Sequence, residues 1–411
     1  MLNQILEFIN KLKPKIVIQA PSRINLINPL DAVEGDFWMP SVAINGIRNP
    51  LSVFVYIKPI KEFSIVKSYS IRDQFGTLRI RVEHEEKISK SLSIPETKLK
   101  GELKLFYASI YRFIKTNSFF WEKFKNSNFE LGFLTTIPPQ SGLGGSASII
   151  VGIMYCFAKY FGLYKRLSCM KEDDFPINKD IIAEMATKVE DLDLKITAGY
   201  GDRYVISRGG LSFCSYIGKL HHKKLSQEPL AVYDRIDLEY NIQNLPIIVC
   251  FSGVTHDSGG VHEKLRQAYL NKDPFLLKSY KNLAEISWKS RFALMKQDWR
   301  LLGDYFKENT IIMNEVMKRV GFTHGIGLFN NILIKLIEDH PDVFSAKLTG
   351  AGGGGSVFAL VNPDKIEDVL HDWEQNLNEI IHNDSIFLSR FPDYPLEIRK
   401  KLKNTQFFRS G

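Results

Sequence analysis

The first apolar residues of the chain, in "LNQILEFINKLK", recur at helical spacing and predict a short amphipathic helix. "KIVIQAPSRINLI" then alternates as a strand does, with a turn at Pro21 before it continues. "PLSVFVYIKPI", "FSIVKSYSI" and "GTLRIRVEH" are rich in β-branched and aromatic residues and predict a run of antiparallel strands. Residues 99–116 return to helical spacing, and "FELGFLTTIPP" is a strand. "SASIIVGIMYCFAKYFGL" is a largely apolar helix whose start is marked by Ser and Gly. Residues 165–180 are polar and read as a loop or small insertion; residues 180–192 read as a helix. An apolar strand is expected just after Asp202, and "GGLSFCSY" is a strand behind a tight turn. "LPIIVCFSG" opens the second half with a buried strand, and residues 258–340 carry long helical patterns. "AKLTGAGGGGSVFALV" reads as strand, glycine loop, strand, and the tail from residue 384 reads as irregular. This order predicts an α+β protein rather than a regular βαβ alternation.

At 411 residues the chain exceeds what one core usually holds, so two domains are expected. The boundary falls in the polar stretch 218–230, giving residues 1–225 and 226–411. Lys plus Arg number 54 and Asp plus Glu 46, a net charge of +8 that collects into no single basic arm. "LHHKKL" and "EIRKKLKNT" read as solvated faces, so no nucleic-acid partner is expected. A weak basic bias suits anionic small molecules. The cysteines Cys156, Cys169, Cys214 and Cys250 form no C-x-x-C pair, which points to a reducing compartment. No run approaches the ~18 apolar residues of a membrane span, and the N-terminus lacks a signal-like apolar region. A cytoplasmic protein without a membrane partner is expected, as monomer or homodimer.

Four stretches carry candidate chemistry. In "PPQSGLGGSAS" the glycines lead straight into a helix, whose free N–H groups and partial positive charge suit a phosphate. The same stretch also reads as a flexible turn capping a core helix. It is not a Walker A loop. "KLTGAGGGGS" sets five glycines between two strands, either as a glycine-rich hairpin or for close backbone approach. In "VEDLDLKITAGYGDRYVISRGG", Glu190 and Asp202 stand twelve residues apart. One could hold a metal and the other take a proton, or both are surface carboxylates. In "APSRINLINPLD", Arg23 is either a surface residue or a stabiliser of charge on a transferring phosphoryl group.

Together, these stretches resemble the motifs of the GHMP kinase superfamily, the galactokinases, homoserine kinases, mevalonate kinases and phosphomevalonate kinases. "APSRINLI" is similar to the N-terminal motif, "PPQSGLGGSAS" to the phosphate loop, with Gly145 where a second serine is usual, and "KLTGAGGGGS" to the C-terminal motif. The resemblance implies a ribosomal S5-like N-terminal α+β domain and a ferredoxin-like C-terminal α+β domain. It implies ATP and Mg²⁺ as cofactors, bound between them. Pro139, Ser141, Gly142, Leu143, Gly144, Gly145, Ser146 and Ala147 would bind the nucleotide, and Ser146 and Glu190 the metal. Asp202 would face the acceptor hydroxyl as base or orienting group, with Arg23 beside it. Asn28, Asp31, Asp202, Tyr204, Gly352, Gly353 and Gly354 would contact the acceptor.

The acceptor is expected to be a small sugar or sugar acid. "NPLD", "GDRYVISRGGLSF" and "HDSGGVHEKLRQAYLNKD" resemble glucuronokinase, which makes a sugar 1-kinase with glucuronate the first candidate. Heptose 7-phosphate kinases share the layout and stand second. Asp31 either binds ring hydroxyls or forms an Asx turn beside Pro29. His262 either hydrogen-bonds the sugar or sits on a helix face without a role. Arg203 and Arg266 are the candidate partners for a substrate carboxylate. A reading of another class is an ATP- and sugar-binding regulator without turnover; the intact set Ser146, Glu190 and Asp202 favours an enzyme.

Overall fold

A computed structural model of the chain describes residues 1–31, 33, 37–44, 51–74, 77–164, 177–216, 230–255 and 257–409. The first half runs α1 (Leu2–Lys11), β1 (Ile16–Asn25), β2 (Phe37–Ile44), β3 (Ser52–Pro59), β4 (Ile65–Gln74) and β5 (Thr77–Lys87). It continues with α2 (Glu96–Lys100), α3 (Lys104–Thr116), α4 (Ser118–Lys125), β6 (Phe129–Thr135), α5 (Gly145–Tyr160), α6 (Lys179–Lys188), α7 (Gly201–Arg208), β7 (Leu211–Tyr216), β8 (Val232–Asp234) and α8 (Ile236–Glu239). Its strands form one eight-stranded sheet in the order β5-β4-β6-β3-β1-β2-β7-β8. Among the described strands of this sheet, only β4 and β6 pair in parallel.

β1 does not turn at Pro21. It runs unbroken and changes partner there: residues 16–21 pair with β3 and residues 22–25 with β2. β1 thereby carries Arg23 and Asn25 out of the sheet's centre toward the cleft described below. α3 to α6 pack beneath the sheet on a phenylalanine cluster. Phe157 of α5 meets Phe106, Phe113, Phe120, Phe124, Phe129 and Phe161 at centroid distances of 5.6–6.5 Å. Each fully buried phenylalanine contributes about 1.5–3 kcal/mol. α5 is apolar nearly all round because the sheet covers one side and helices the other. It approaches β3 so closely at Gly152 that a Cβ there would lie 2.9 Å from the Val55 side chain.

The second half runs β9 (Ile247–Phe251), α9 (Ser258–Leu270), α10 (Pro274–Lys296), α11 (Trp299–Arg319), α12 (Leu328–Lys335), β10 (Val343–Thr349) and β11 (Ser356–Val361). α13 (Ile366–His382), α14 (Asp384–Arg390), α15 (Arg399–Leu402) and β12 (Gln406–Arg409) complete it. Its four strands form an antiparallel sheet in the order β10-β11-β9-β12. Alternate residues of β9 and β11 enter two different cores: Ile247, Val249, Phe358 and Leu360 one, Ile248, Cys250, Val357 and Ala359 the other. Both faces are covered, so these strands read as continuous apolar runs. α10 reaches back to the first sheet, where Trp288 packs on Phe213 of β7 at 5.1 Å and Arg291 pairs with Asp234. Among the described residues, no helix is long and apolar enough to cross a membrane.

The α+β architecture, the amphipathic first helix and the helices over 258–340 agree with the sequence reading. Besides the turn at Pro21, two expectations fail. The segment after Asp202 is a helix, α7, not a strand: all of its residues but Asp202 and Arg208 are buried, so the apolar run is that of a packed helix, and Gly209 and Gly210, at φ 77° and 73°, end it. The tail from residue 384 is ordered; β12 pairs Phe407 and Phe408 with Cys250 and Val249. β2 gave no signal at all. The polar stretches lie mostly outside the described residues, at 165–176 and 217–229. β8 still pairs with β7, so the chain leaves the first sheet after residue 234, beyond the expected boundary at 225/226.

Lys347 of β10 is buried at 1% exposure on the Phe358 and Phe306 rings, and among the described residues its Nζ donates only to the Leu348 carbonyl. Burial without an acid beside it lowers the amine from 10.5 to about 7. The unfolded chain therefore binds a proton that the folded chain does not hold between about pH 7 and 10.5. Stability should rise with pH across that window, by at most about 1.4 kcal/mol per pH unit. Urea unfolding across that range should show this rise in the parent and lose it in Lys347→Met.

Candidate active site

A cleft of about 570 Å³ opens where the two halves meet. It is lined by the end of β1 and the turn after it, the loop from β6 into α5, the segment 190–199 and the first turns of α7 and α9. The β10–β11 loop closes it. Because side chains alternate along a strand, Arg23 and Asn25 of β1 share one face, and both line the cleft.

Arg23 is the centre of the site. Its Nε and Nη2 each donate to an Asp202 carboxylate oxygen at 2.5 Å, and its Nη1 donates to the Gly142 carbonyl at 2.5 Å. Asn25 adds a bond from Nδ2 to Asp202 Oδ1 at 3.1 Å. Burial alone would raise the Asp202 carboxyl. The Arg23 charge, its two hydrogen bonds, Asn25 and nearby His262 outweigh burial and hold the carboxyl below its usual range. Asp202 is thus an ionised carboxylate with fixed orientation. Asp31 positions the helix that carries it: Oδ2 of Asp31 accepts from Gly201 N at 2.7 Å, at the start of α7. A Cβ at Gly199 would sit 2.2 Å from the Asp31 carboxylate, so the chain passes there as glycine.

The glycine loop has Gly142 at φ 75° and Gly144 at φ 79°, a backbone that glycine adopts without strain. Gly144 caps α5 with no side chain on the first-turn N–H groups. Those N–H groups carry the partial positive end of a 16-residue helix. Ser141 Oγ, on a residue 2% exposed and lining the cleft, has no partner among the described residues. Donors without acceptors at a helix N-terminus fit a phosphate. The second glycine stretch supports this loop from the other half. A Cβ at Gly350 would meet the Gly142 carbonyl at 3.1 Å, Ser356 Oγ donates to the Ser141 carbonyl at 2.8 Å, and Asn25 N donates to Thr349 Oγ1 at 3.0 Å.

Glu190 lies in a single π-helical turn after α6 and pairs through Oε2 with Arg203. Its Oε1 has no hydrogen bond among the described residues. The exposed hydroxyl of Ser146 lines the same cleft. One carboxylate oxygen and one hydroxyl suit a Mg²⁺ ion that takes most of its ligands from phosphates and water. Among the described residues, no three His, Cys, Asp or Glu side chains cluster as a metal cage.

Of the residues singled out in the sequence, Pro139, Ser141, Gly142, Gly144, Gly145, Ser146, Glu190, Asp202, Arg23 and Asp31 line the cleft, and so do His262 and Arg203. Leu143 and Ala147 do not; they point into the core at 0% and 1% exposure and anchor the loop. Tyr204 is also buried, its hydroxyl donating to Glu184 and accepting from Ala231 N. Asn28 adopts φ 57° and is sealed beside Asn309. Gly352, Gly353 and Gly354 lie behind the cleft: Gly353 N donates to the Ile326 carbonyl, and the Gly354 carbonyl accepts from Asn330. Arg266 is committed to Asp191 at 2.9 Å. The sequence reading did not single out Asn25, which the strand alternation from Arg23 marks, Asp257, which stands inside the quoted "HDSGGVH" motif, or Lys104 and Thr197.

Two family descriptions match the chain in order: GHMP kinases N terminal domain over residues 108–210 and GHMP kinases C terminal over residues 281–379. With the two-domain fold and the cleft between the halves, the chain belongs to the GHMP kinase superfamily. It is 26% identical over 242 residues to glucuronokinase 1 of Arabidopsis thaliana, covering 59% of this chain and 60% of that protein. It is also 26% identical over 273 residues to D-glycero-alpha-D-manno-heptose 7-phosphate kinase of Campylobacter jejuni, covering 64% and 69%. The chain thus spans less than two thirds of the glucuronokinase's length. Among solved structures, Lactococcus lactis galactokinase complexed with galactose aligns over 100% of this chain and 97% of its own, with TM-score 0.64 and 15% identity. That likeness establishes the fold.

Removing the Arg23 cation should leave the Asp202 carboxylate without its bidentate partner and, among the described residues, with only Asn25 and a longer contact to Arg203 Nη1 at 3.7 Å. Arg23→Met is expected to cost about 3–5 kcal/mol in urea unfolding at pH 7, and Arg23→Met/Asp202→Asn should recover part of it. In the parent, the lowered Asp202 value means that the pair's contribution is complete above the ordinary carboxyl value of about 3.9. It is lost as pH falls through the folded-state value. In Arg23→Met the carboxyl rises instead, so the deficit relative to the parent should shrink on acidification.

Proposed function

We propose that the protein is an ATP-dependent kinase that transfers the γ-phosphoryl group to a sugar hydroxyl, with the anomeric hydroxyl the first candidate. The observation that carries this reading is the single Arg23 guanidinium bridging Asp202 and the phosphate-loop carbonyl of Gly142. It brings a fixed carboxylate beside a loop suited to phosphates, the two halves that an in-line transfer requires.

In this reading the first-turn N–H groups of α5, the Ser141 hydroxyl and the glycine loop hold the β- and γ-phosphates. Ser146 and Glu190 hold Mg²⁺, which when bound neutralises phosphate charge. Asp202 accepts a hydrogen bond from the acceptor hydroxyl and orients its oxygen toward the γ-phosphorus. The new O–P bond forms as the bond to the β-phosphate oxygen breaks, and ADP leaves with that electron pair. The hydroxyl proton passes to Asp202. A carboxylate held below its usual range is a weak base, so this transfer comes late, once the bonding oxygen has become acidic. Arg23 shares its positive charge between Asp202 and the loop and remains close to the charge that develops.

The first test is ADP release with Mg²⁺·ATP across a panel of sugars, sugar acids, sugar phosphates and mevalonate. Asp202→Asn should lower kcat by about 10²–10⁴-fold while the ATP Kd stays at the parent value; parental turnover in this variant would remove Asp202 from its role. Glu190→Gln should move the Mg²⁺ titration to higher concentration, and an unchanged titration would take Glu190 out of the metal site. ATP binding without ADP release for any acceptor would favour the regulator reading instead.

A further inference from the structure

We propose that the acceptor is an uncharged sugar, recognised through its hydroxyl groups by carboxylates, and that uronates and sugar phosphates are selected against. This inference rests on the kinase reading above and narrows its substrate class, against the order of candidates that the motifs suggest.

Among the described residues, the arginines near Asp202 are already committed. Arg23 spends three nitrogens on Asp202 and Gly142, Arg203 pairs with Glu190 and donates to the Gly199 carbonyl, and Arg266 pairs with Asp191. Arg23, Arg203 and all three of the acids they and Arg266 hold are buried or nearly so, with side-chain exposures of 4–15%. An acceptor bearing a carboxylate or phosphate would have to take one of these guanidinium groups from its acid. The displaced acid would then be an unpaired buried carboxylate, and the interaction gained would be lost again on that group.

Two further carboxylates line the cleft, beside the donors Asn25, Ser258 and His262, neutral or weakly basic groups that also suit hydroxyl oxygens. Asp31 lines the cleft with one oxygen on Gly201 N, and Asp257 lines it at the start of α9. α9 is drawn to that end of the cleft by Thr197, whose hydroxyl donates to Glu263 at 2.6 Å. With Asp202, these carboxylates are acceptor-only groups. They match the hydroxyl donors of a neutral sugar and repel a second anion, which is discrimination by an unfavourable contact as well as a favourable one. Lys104 also lines the cleft and, among the described residues, has no acidic partner; its ammonium must therefore serve the ATP polyphosphate rather than the acceptor if uronates are to be selected against, a requirement that the Lys104→Met variant below tests.

The test compares matched pairs with the full-length protein and Mg²⁺·ATP: galactose against galacturonate, glucose against glucuronate, and each sugar against its 6-phosphate. The neutral member should exceed its anionic partner in kcat/KM by at least about tenfold, equivalent to about 1.4 kcal/mol. Asp257→Asn should narrow that ratio, and Lys104→Met should raise the KM for ATP while leaving the KM for the sugar. A uronate or sugar phosphate that matches or exceeds its neutral partner overturns the inference and leaves the kinase reading standing. So does a Lys104→Met variant that loses the acceptor alone. Where no pair gives ADP, calorimetry with the same sugars and a non-hydrolysable ATP analogue separates the two claims. Binding of neutral members alone upholds the inference while the kinase reading falls. Binding of anionic members, or of no neutral sugar, overturns it.

Discussion

One guanidinium holds this site together. Arg23 reaches from the central strand of the first sheet to the first turn of α7 and to the loop before α5, so three elements far apart in sequence meet on one cation. The arrangement also solves a local electrostatic problem. A loop that receives phosphate must turn its N–H groups toward the anion and its carbonyls away. The Gly142 carbonyl is turned toward Arg23, where its negative end is satisfied. Gly142 and Gly144 adopt positive φ values, and Gly144 brings its backbone against the Arg23 side chain, where a Cβ would lie 3.1 Å from its Cγ. The glycines serve the arginine as much as any ligand.

The second half is fixed to the first by backbone chemistry of the same kind. Gly350 rests on Gly142, Ser356 holds the Ser141 carbonyl, and Thr349 takes the Asn25 N–H. These contacts need two main chains within van der Waals reach, and glycine allows that approach. Glycines in a sheet connection cost conformational entropy. Here the cost is offset by these backbone and hydroxyl contacts across the seam, while Gly352 to Gly354 turn the chain behind it toward Ile326 and Asn330.

The parts that were legible in the sequence are those encoded locally. The glycine loop, Arg23, Glu190 and Asp202 stand in short patterns whose chemistry is visible in a few letters, and the apolar periodicity marks most helices and strands. Tyr204, Leu143 and Ala147 are displaced by phase. Reading the segment after Asp202 as a strand puts Tyr204 on the same face as Asp202. In a helix, two residues advance about 200°, so Tyr204 turns into the core instead. Leu143 and Ala147 are likewise one step around from residues that face the cleft. Asn28 is turned aside by its left-handed backbone. Asp31 reaches Gly201 across 170 residues, a distance at which no local pattern operates. β2 and β12 are set by tertiary pairing rather than by their own propensity.

The Asp202 carboxyl constrains any catalytic account of this cleft. A general base tuned for early proton abstraction is held near the working pH by burial or by a second acid. Asp202 is instead driven down, by a bidentate arginine and an asparagine that together outweigh its burial. Such a carboxylate orients a hydroxyl well and removes its proton poorly. On the kinase reading, the rate must then come from alignment and from charge held in place around the phosphoryl group, with the proton following the bond change. The energy of the Arg23–Asp202 pair fits that demand. A pair that already exists before the acceptor arrives requires no reorganisation when charge develops, which is the condition under which fixed charges contribute most to a transition state.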